Sequence, residues 1–402
     1  MACAPLAIAP TSPVLPATPP VRIDEPAQKS VPLALTPTAW QAATWDDLPG
    51  WREDDLSAAW PGFLRSCSAW RTRPAALVWR SVCDTALAME RPASAQIRLF
   101  FESQLKPWSL VQSDAQGNLS RDGLITGYYE PILKGAKEKS ARYRFPLLAV
   151  PDDLLILDFA DLLPELKHLR LRGRVEGKKV VPYYSRAQIR EREETSLRDK
   201  AIAWVEDPVE LFFLHVQGSG RIALPDGKQM RVGYADQNGY IYQSIGRVLI
   251  ERGDLKPEQA SMQGIQAWAR ANPARLDELL NLNPSYVFFR ELLVTADGAD
   301  KGPPGALGVP LTPERSIAVD PRTTPLGAPV YLATTQPNSN ALLNRLMLAQ
   351  DTGGAIKGTV RADFFWGLGH EAGQKAGRMR QKGRLWVLLP LSYVPETELT
   401  SP

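Results

Sequence analysis

The stretch whose reading decides this chain is Gln350-Asp351-Thr352-Gly353-Gly354-Ala355-Ile356-Lys357-Gly358-Thr359-Val360-Arg361-Ala362-Asp363-Phe364-Phe365-Trp366-Gly367. Two carboxylates, Asp351 and Asp363, bracket Gly353, Gly354 and Gly358, and an aromatic run follows. Glycines so placed let backbone pass close to a ligand. A third aspartate belongs with them, Asp320 in Ser316-Ile317-Ala318-Val319-Asp320-Pro321, shortly before the turn Pro325-Leu326-Gly327. Three aspartates near strand ends in apolar surroundings can supply one acid of raised pKa and neighbours that position it. That is the raw material of sugar-bond cleavage.

Each aspartate also has a structural reading. Asp351 before Thr-Gly-Gly and Asp320 before Pro321 suit turns in which the side chain accepts backbone N–H bonds. Asp363 fits that reading less well. Ala362, Phe364, Phe365 and Trp366 are not turn formers, and an ionised carboxylate among them is costly unless paired. Strand alternation puts Arg361, Asp363 and Phe365 on one face, so an Arg361 to Asp363 ion pair is the main competitor.

A chain of 402 residues can hold two ordinary domains with a sizeable core. Its net charge of +3 is too small to argue for nucleic acid. Hydrophobic residues make up 44%, without an uninterrupted apolar stretch long enough to span a bilayer. His168, His215 and His370 lie far apart and lack carboxylate or thiol partners nearby, so no metal and no cofactor are expected.

Residues 1–40 are rich in Pro, Ala and Thr and read as a disordered tether. Cys3, in Met1-Ala2-Cys3-Ala4-Pro5, is either a lipid anchor left by a lipoprotein signal or an incidental cysteine. Cys67 and Cys83 can clamp two helices as a disulfide in an oxidising compartment, with two buried thiols as the alternative. Between residues 40 and 115 Trp51, Leu56, Trp60, Phe63, Leu64, Phe100, Phe101 and Leu105 recur at helical steps. Short β-rich runs follow at 123–129, 211–216 and 221–224. Helices are expected over 239–251, where Tyr242, Ile245 and Leu249 share a face, and over 257–271. Strands resume after the turn-rich 297–308.

With those motifs in view, the chain resembles the membrane-bound lytic murein transglycosylase A family. The last block is similar to that family's three-Asp "3D" domain. Further blocks recur in family order: Ile125-Thr126-Gly127-Tyr128-Tyr129-Glu130-Pro131, Val216-Gln217-Gly218-Ser219-Gly220, Gly239-Tyr240-Ile241-Tyr242-Gln243-Ser244-Ile245-Gly246, Asn283-Pro284-Ser285-Tyr286-Val287-Phe288-Phe289 and Gly383-Arg384-Leu385-Trp386-Val387-Leu388. The resemblance covers residues 35 to 392. It implies a mainly β fold with helices: a double-psi β-barrel domain, a second small β-barrel domain inserted into it, and a groove between them. The expected limits are 41–132 and 291–396 for the barrel and 133–290 for the insert.

The resemblance further implies that Asp363 is the single catalytic acid and base, supported by Asp320 and Asp351. The reaction would cleave the β-1,4 bond from N-acetylmuramic acid to N-acetylglucosamine and leave a 1,6-anhydromuramic acid end. Expected groove residues are Gly127, Tyr128, Tyr129 and Glu130 as a sugar platform, Gln217, Gly218, Ser219 and Gly220 as a turn offering backbone donors, Tyr234 and Asn238, and Lys357 as a charge near the aspartates. Packing, a tight turn, a helix start with Asp236 or Asn238 as cap, and a solvated lysine are the plain alternatives. The implied partners are peptidoglycan strands and other cell-wall enzymes; the implied location is the periplasm, on the outer membrane as a lipoprotein. An expansin-like wall-binding module and a two-carboxylate glycoside hydrolase using Asp351 or Asp320 remain rival readings.

Overall fold

The computed structural model describes residues 39–113, 116–163, 166, 169, 171–293 and 302–393. The expected tether with Cys3 lies outside the described residues, as does His168. From Ala39 the chain forms β1 (Ala39–Ala42) and then three helices, α1 (Trp60–Trp70), α2 (Arg80–Ala88) and α3 (Ser94–Gln104). α1 carries Pro61 in its first turn, where a missing N–H costs nothing. Its buried face is Trp60, Phe63, Cys67 and Trp70, at three- and four-residue steps. Cys67 on α1 and Cys83 on α2 form a disulfide, with Cα atoms 5.2 Å apart.

Strands β2 (Leu105–Ser113), β3 (Leu119–Ser120) and β4 (Gly123–Glu130) follow. The helical periodicity therefore ends at Gln104, where Trp108, Leu110 and Val111 find strand partners in β1. The middle of the chain contributes β5 (Ile132–Ala136), β6 (Phe145–Leu148), β7 (Leu155–Ile156), β8 (Arg172–Glu176), β9 (Lys179–Pro182), α4 (Arg186–Arg190), β10 (Ala201–Val205) and α5 (Pro208–Gln217). It goes on with β11 (Ser219–Ala223), β12 (Gln229–Gln237), α6 (Ile245–Glu251), α7 (Met262–Ala271), α8 (Leu276–Asn281) and β13 (Val287–Glu291). Last come β14 (Ser316–Val319), β15 (Pro329–Thr335), β16 (Leu342–Asp351), β17 (Arg361–Leu368), α9 (Gly369–Arg378) and β18 (Arg380–Pro390).

Two sequence expectations are corrected here. The run 211–216, read as a strand, lies inside α5: Asp207 caps the helix by accepting from the N–H groups of Val209 and Glu210, Pro208 opens it, and Gly218 ends it in the left-handed region. These stop and start signals outweigh the β preference of its Phe and Val residues. The helix expected from Gly239 begins at Ile245, because Ser244 is the residue whose hydroxyl caps it. Neither Asp236 nor Asn238 serves as a cap.

Strands β4, β18, β15, β16, β14 and β17 pair in a ring that closes on itself, a six-stranded barrel. β4–β17 and β14–β16 run parallel and the other neighbours antiparallel. β4 reaches this ring from the N-terminal side, while its partners all follow residue 315. Between them in sequence lie the strands of a second sheet, in the order β13-β12-β11-β5-β10-β6, and of a small sheet β7-β8-β9. The main core lies in and around the barrel, with Ile125, Val319, Val330, Leu348, Phe364 and Leu388 buried; each such side chain contributes about 2 kcal/mol.

Two polar clasps bind the N-terminal helices to the barrel. Arg315 forms a buried bidentate pair with Asp54 at 2.8 and 2.9 Å. Gln350 accepts from Ser316 Oγ at 2.8 Å and donates to Gly62 O at 2.8 Å and Ser66 Oγ at 3.0 Å. The second clasp fixes the end of β16, one residue before Asp351.

Candidate active site

β17 lies between β14, to which it is antiparallel, and β4, to which it is parallel; Asp363 stands level with Ala318 and with Thr126. The pleat sends Ala362, Phe364 and Trp366 into the main core. Arg361, Asp363 and Phe365 take the other face. There Phe365 packs with Tyr128, Leu311, Ala318 and Ile356, while Arg361 and Asp363 stay half-buried. Of the aromatic neighbours Phe364, Phe365 and Trp366, only Phe365 shares the face of Asp363, and strand alternation turns the other two away.

Thr126 Oγ1 donates to Asp363 Oδ1 at 2.5 Å. Arg361 makes no ion pair with Asp363: its Nη2 donates to Thr126 Oγ1 at 2.8 Å, and its Nη1 to the carbonyls of Leu124 and Ala362. Oδ2 of Asp363 has no hydrogen-bond partner among the described residues and is not sealed from solvent. Burial drives the Asp363 carboxyl above the usual range, and the Thr126 bond and the Arg361 charge, both favouring the ion, do not cancel that rise.

Asp351, at the end of β16, has both oxygens engaged. Oδ1 accepts from the N–H groups of Ala306 and Thr352 at 2.9 Å, and Oδ2 from Tyr128 Oη at 3.0 Å. Burial nevertheless pushes its pKa up to about 6. Asp320 is the opposite case. It is wholly buried, but Arg322 chelates it, at 2.6 Å from Nη2, and the N–H groups of Arg322 and Gly358 complete its shell. Burial works to raise its pKa; those bonds outweigh burial and hold the carboxyl below the usual range.

The chain matches the family models described as "MltA specific insert domain", over residues 124–290, and "3D domain", over residues 315–389. It is 34% identical over 289 residues to the membrane-bound lytic murein transglycosylase A of Escherichia coli strain K12, covering 70% of this chain and 68% of that protein. The chain belongs to the membrane-bound lytic murein transglycosylase A family. Its fold is similar to the crystal structure of MltA from Neisseria gonorrhoeae at 40% identity and a TM-score of 0.74, covering 89% of this chain and 94% of the other. The crystal structure of E. coli MltA with bound chitohexaose is similar at 26% identity and a TM-score of 0.61, covering 84% and 91%. No helix among the described residues is long and apolar enough to cross a membrane.

Within this lytic transglycosylase A chain, the other expected groove residues divide. Tyr128 and Tyr129 are both buried, Tyr128 on Asp351 and Phe365, and Tyr129 with its hydroxyl 3.1 Å from Met262 Sδ. Glu130, expected in the sugar platform, is 1% exposed and sits in an internal ion pair with Arg221 at 3.3 Å and Arg231 at 3.9 Å. Gly127 and Gly220 serve packing: a Cβ on Gly127 would stand 2.7 Å from Trp366 Nε1, and one on Gly220 2.5 Å from Leu214 Cδ1. Gln217 accepts from the Tyr129 N–H at 3.0 Å, tying α5 to β4. Gly218 ends α5 and Ser219 begins β11, so these residues form no hairpin turn.

Asn238 is a buried clip: its Nδ2 donates to the carbonyls of Tyr184 and Pro284, and its Oδ1 accepts from the Tyr286 N–H. Tyr234 is exposed on β12 beside a bulge, and Lys357 is exposed in the loop between β16 and β17. Sequence reasoning missed Thr126, Arg322, and the arginines on Glu130. Thr126 is adjacent to a quoted glycine, yet its meaning depends on the parallel register of β4 with β17, which no local pattern carries.

Proposed function

We propose that the chain is a peptidoglycan lytic transglycosylase in which Asp363 is the sole acid and base. One observation carries this assignment: of the three aspartates, Asp363 alone keeps a carboxyl oxygen without a partner among the described residues. Held half-buried with a raised pKa, it can enter the reaction protonated. Oδ2–H gives its proton to the glycosidic oxygen as the bond from C1 of N-acetylmuramic acid to that oxygen breaks. The carboxylate then takes the proton of the muramyl C6 hydroxyl while O6 bonds to C1, giving the 1,6-anhydro end. Proton and electron pairs balance without water. A two-carboxylate hydrolase needs a second carboxylate free to activate water, and both oxygens of Asp351 and of Asp320 are committed.

The glycan substrate follows from the family and from the chitohexaose bound to the E. coli relative. We place the enzyme in the periplasm on the same ground, with Cys3 as its lipid anchor, other wall enzymes as its associates, and the domain limits given above. The Cys67–Cys83 disulfide suits an oxidising compartment. Digestion of purified sacculi followed by mass analysis tests the activity. Anhydro ends are expected; reducing ends, heavier by one water, would point to a hydrolase, and intact sacculi to a wall-binding module.

A further inference from the structure

Oγ1 of Thr126 stands between a guanidinium and a carboxyl group, 2.8 Å from Arg361 Nη2 and 2.5 Å from Asp363 Oδ1. A guanidinium only donates. Oγ1 therefore accepts from Arg361, and its own proton goes to Asp363 Oδ1, the one acceptor its side chain meets among the described residues. An oxygen that receives this proton is the acceptor side of the carboxyl group, which leaves Oδ2 for the acid proton. Oδ2 is also the oxygen with no partner among the described residues, and it is not sealed from solvent. We infer that Thr126, aligned by Arg361, is a positioning residue that holds the acid proton of Asp363 on Oδ2, the oxygen that meets the glycosidic bond.

This role rests on Asp363 being the acid and base. It accounts for the spacing of the charges: with Thr126 between them, Arg361 acts on Asp363 at one remove. A direct pair would hold the carboxyl ionised and leave no acid. After proton donation the same Thr126 bond steadies the carboxylate until Oδ2 takes the C6 proton. Of the other charged and titratable groups nearby, Arg380 on β18 stands level with Thr126 on the far side of β4 and is exposed, and the rest are engaged with one another. Tyr128 on β4 is bound to Asp351 at the end of β16, Asp320 beyond β14 to Arg322, and Lys375 on α9 pairs with Glu314 and Glu371.

The test compares Thr126→Val, which keeps the shape and loses the hydroxyl, with Thr126→Ser, which keeps the hydroxyl. Release of anhydro-muropeptides from soluble glycan strands is followed across pH, with melting curves as a check on folding. Thr126→Val should lower kcat by about tenfold or more and leave KM within about twofold. The high-pH limb of its kcat profile should move to higher pH, because the lost bond favoured the carboxylate. Thr126→Ser should restore kcat to within about threefold and return the limb. An unchanged kcat and limb in Thr126→Val, a loss confined to KM or to melting temperature, or a serine variant as poor as the valine one overturns the role. Should Thr126→Val not fold, Arg361→Met decides: it frees the hydroxyl to rotate and should lower kcat, and a wild-type rate contradicts the role. Asp363→Asn is run alongside. Activity in that variant overturns the acid assignment itself, whereas an inactive Asp363→Asn with unaffected Thr126 variants overturns only the positioning.

Discussion

Tyr128 on β4 donates its hydroxyl to Oδ2 of Asp351 at the end of β16, across 3.0 Å. With the N–H groups of Ala306 and Thr352 on Oδ1, that bond makes Asp351 a fixed element of the barrel wall beside the acid, not a second proton carrier.

Asp351 should weaken the fold as pH rises. Burial first, with the like charge of Asp363 adding to it, pushes this carboxyl up to about 6 against the three bonds that favour its charged form. An unfolded Asp titrates near about 3.9. The folded state therefore holds the proton longer, and the stability this group contributes is complete below about pH 4 and lost as pH rises to about 6. The loss is on the order of 2–3 kcal/mol. Asp351→Asn cannot ionise and still accepts from Ala306 and Thr352. It should melt at least as high as wild type at pH 7, with the advantage gone near pH 4, and should lower activity less than Asp363→Asn does. A deficit of equal size at both pH values would contradict this.

Asp320 should behave in the opposite sense. Its pKa is depressed by Arg322 and by the Gly358 N–H despite burial, so its contribution is present above the unfolded value and lost as pH falls through the folded one. Asp320→Asn leaves Arg322 without its partner and should cost about 1–3 kcal/mol at pH 7. The gap to wild type should shrink in strong acid. Urea midpoints at pH 7 and pH 3 measure it, and activity should fall only a few-fold. A stability equal to wild type at pH 7 would show the pair to be idle.

The disulfide closes a separation of 16 residues between α1 and α2. Replacing both cysteines by alanine should cost about 3 kcal/mol. Alkylation of the denatured, unreduced protein should label neither Cys67 nor Cys83. Labelling of both without reductant would mean two free thiols.

Strand alternation in the segment around Asp363 was legible, because Arg361, Asp363 and Phe365 share a face as their spacing requires. So was the disulfide pairing of Cys67 with Cys83. Long-range pairing was not. Thr126 becomes meaningful only when β4 lies parallel to β17, at a sequence separation of 237 from Asp363, and Glu130 finds Arg221 and Arg231 only through the second sheet. The run 211–216 is helical for a local reason instead: Asp207, Pro208 and Gly218 punctuate a helix, and these signals outweigh the β preference of Phe212, Phe213 and Val216.

The most direct test of the account is the rate at which Asp363→Asn releases anhydro-muropeptides from sacculi. The amide is isosteric and should leave the melting temperature nearly unchanged, but it cannot give a proton to the glycosidic oxygen and take one back. The predicted rate is below about a hundredth of wild type, with no reducing ends in its place. A folded Asp363→Asn enzyme that exceeds that rate would contradict Asp363 as the acid and base.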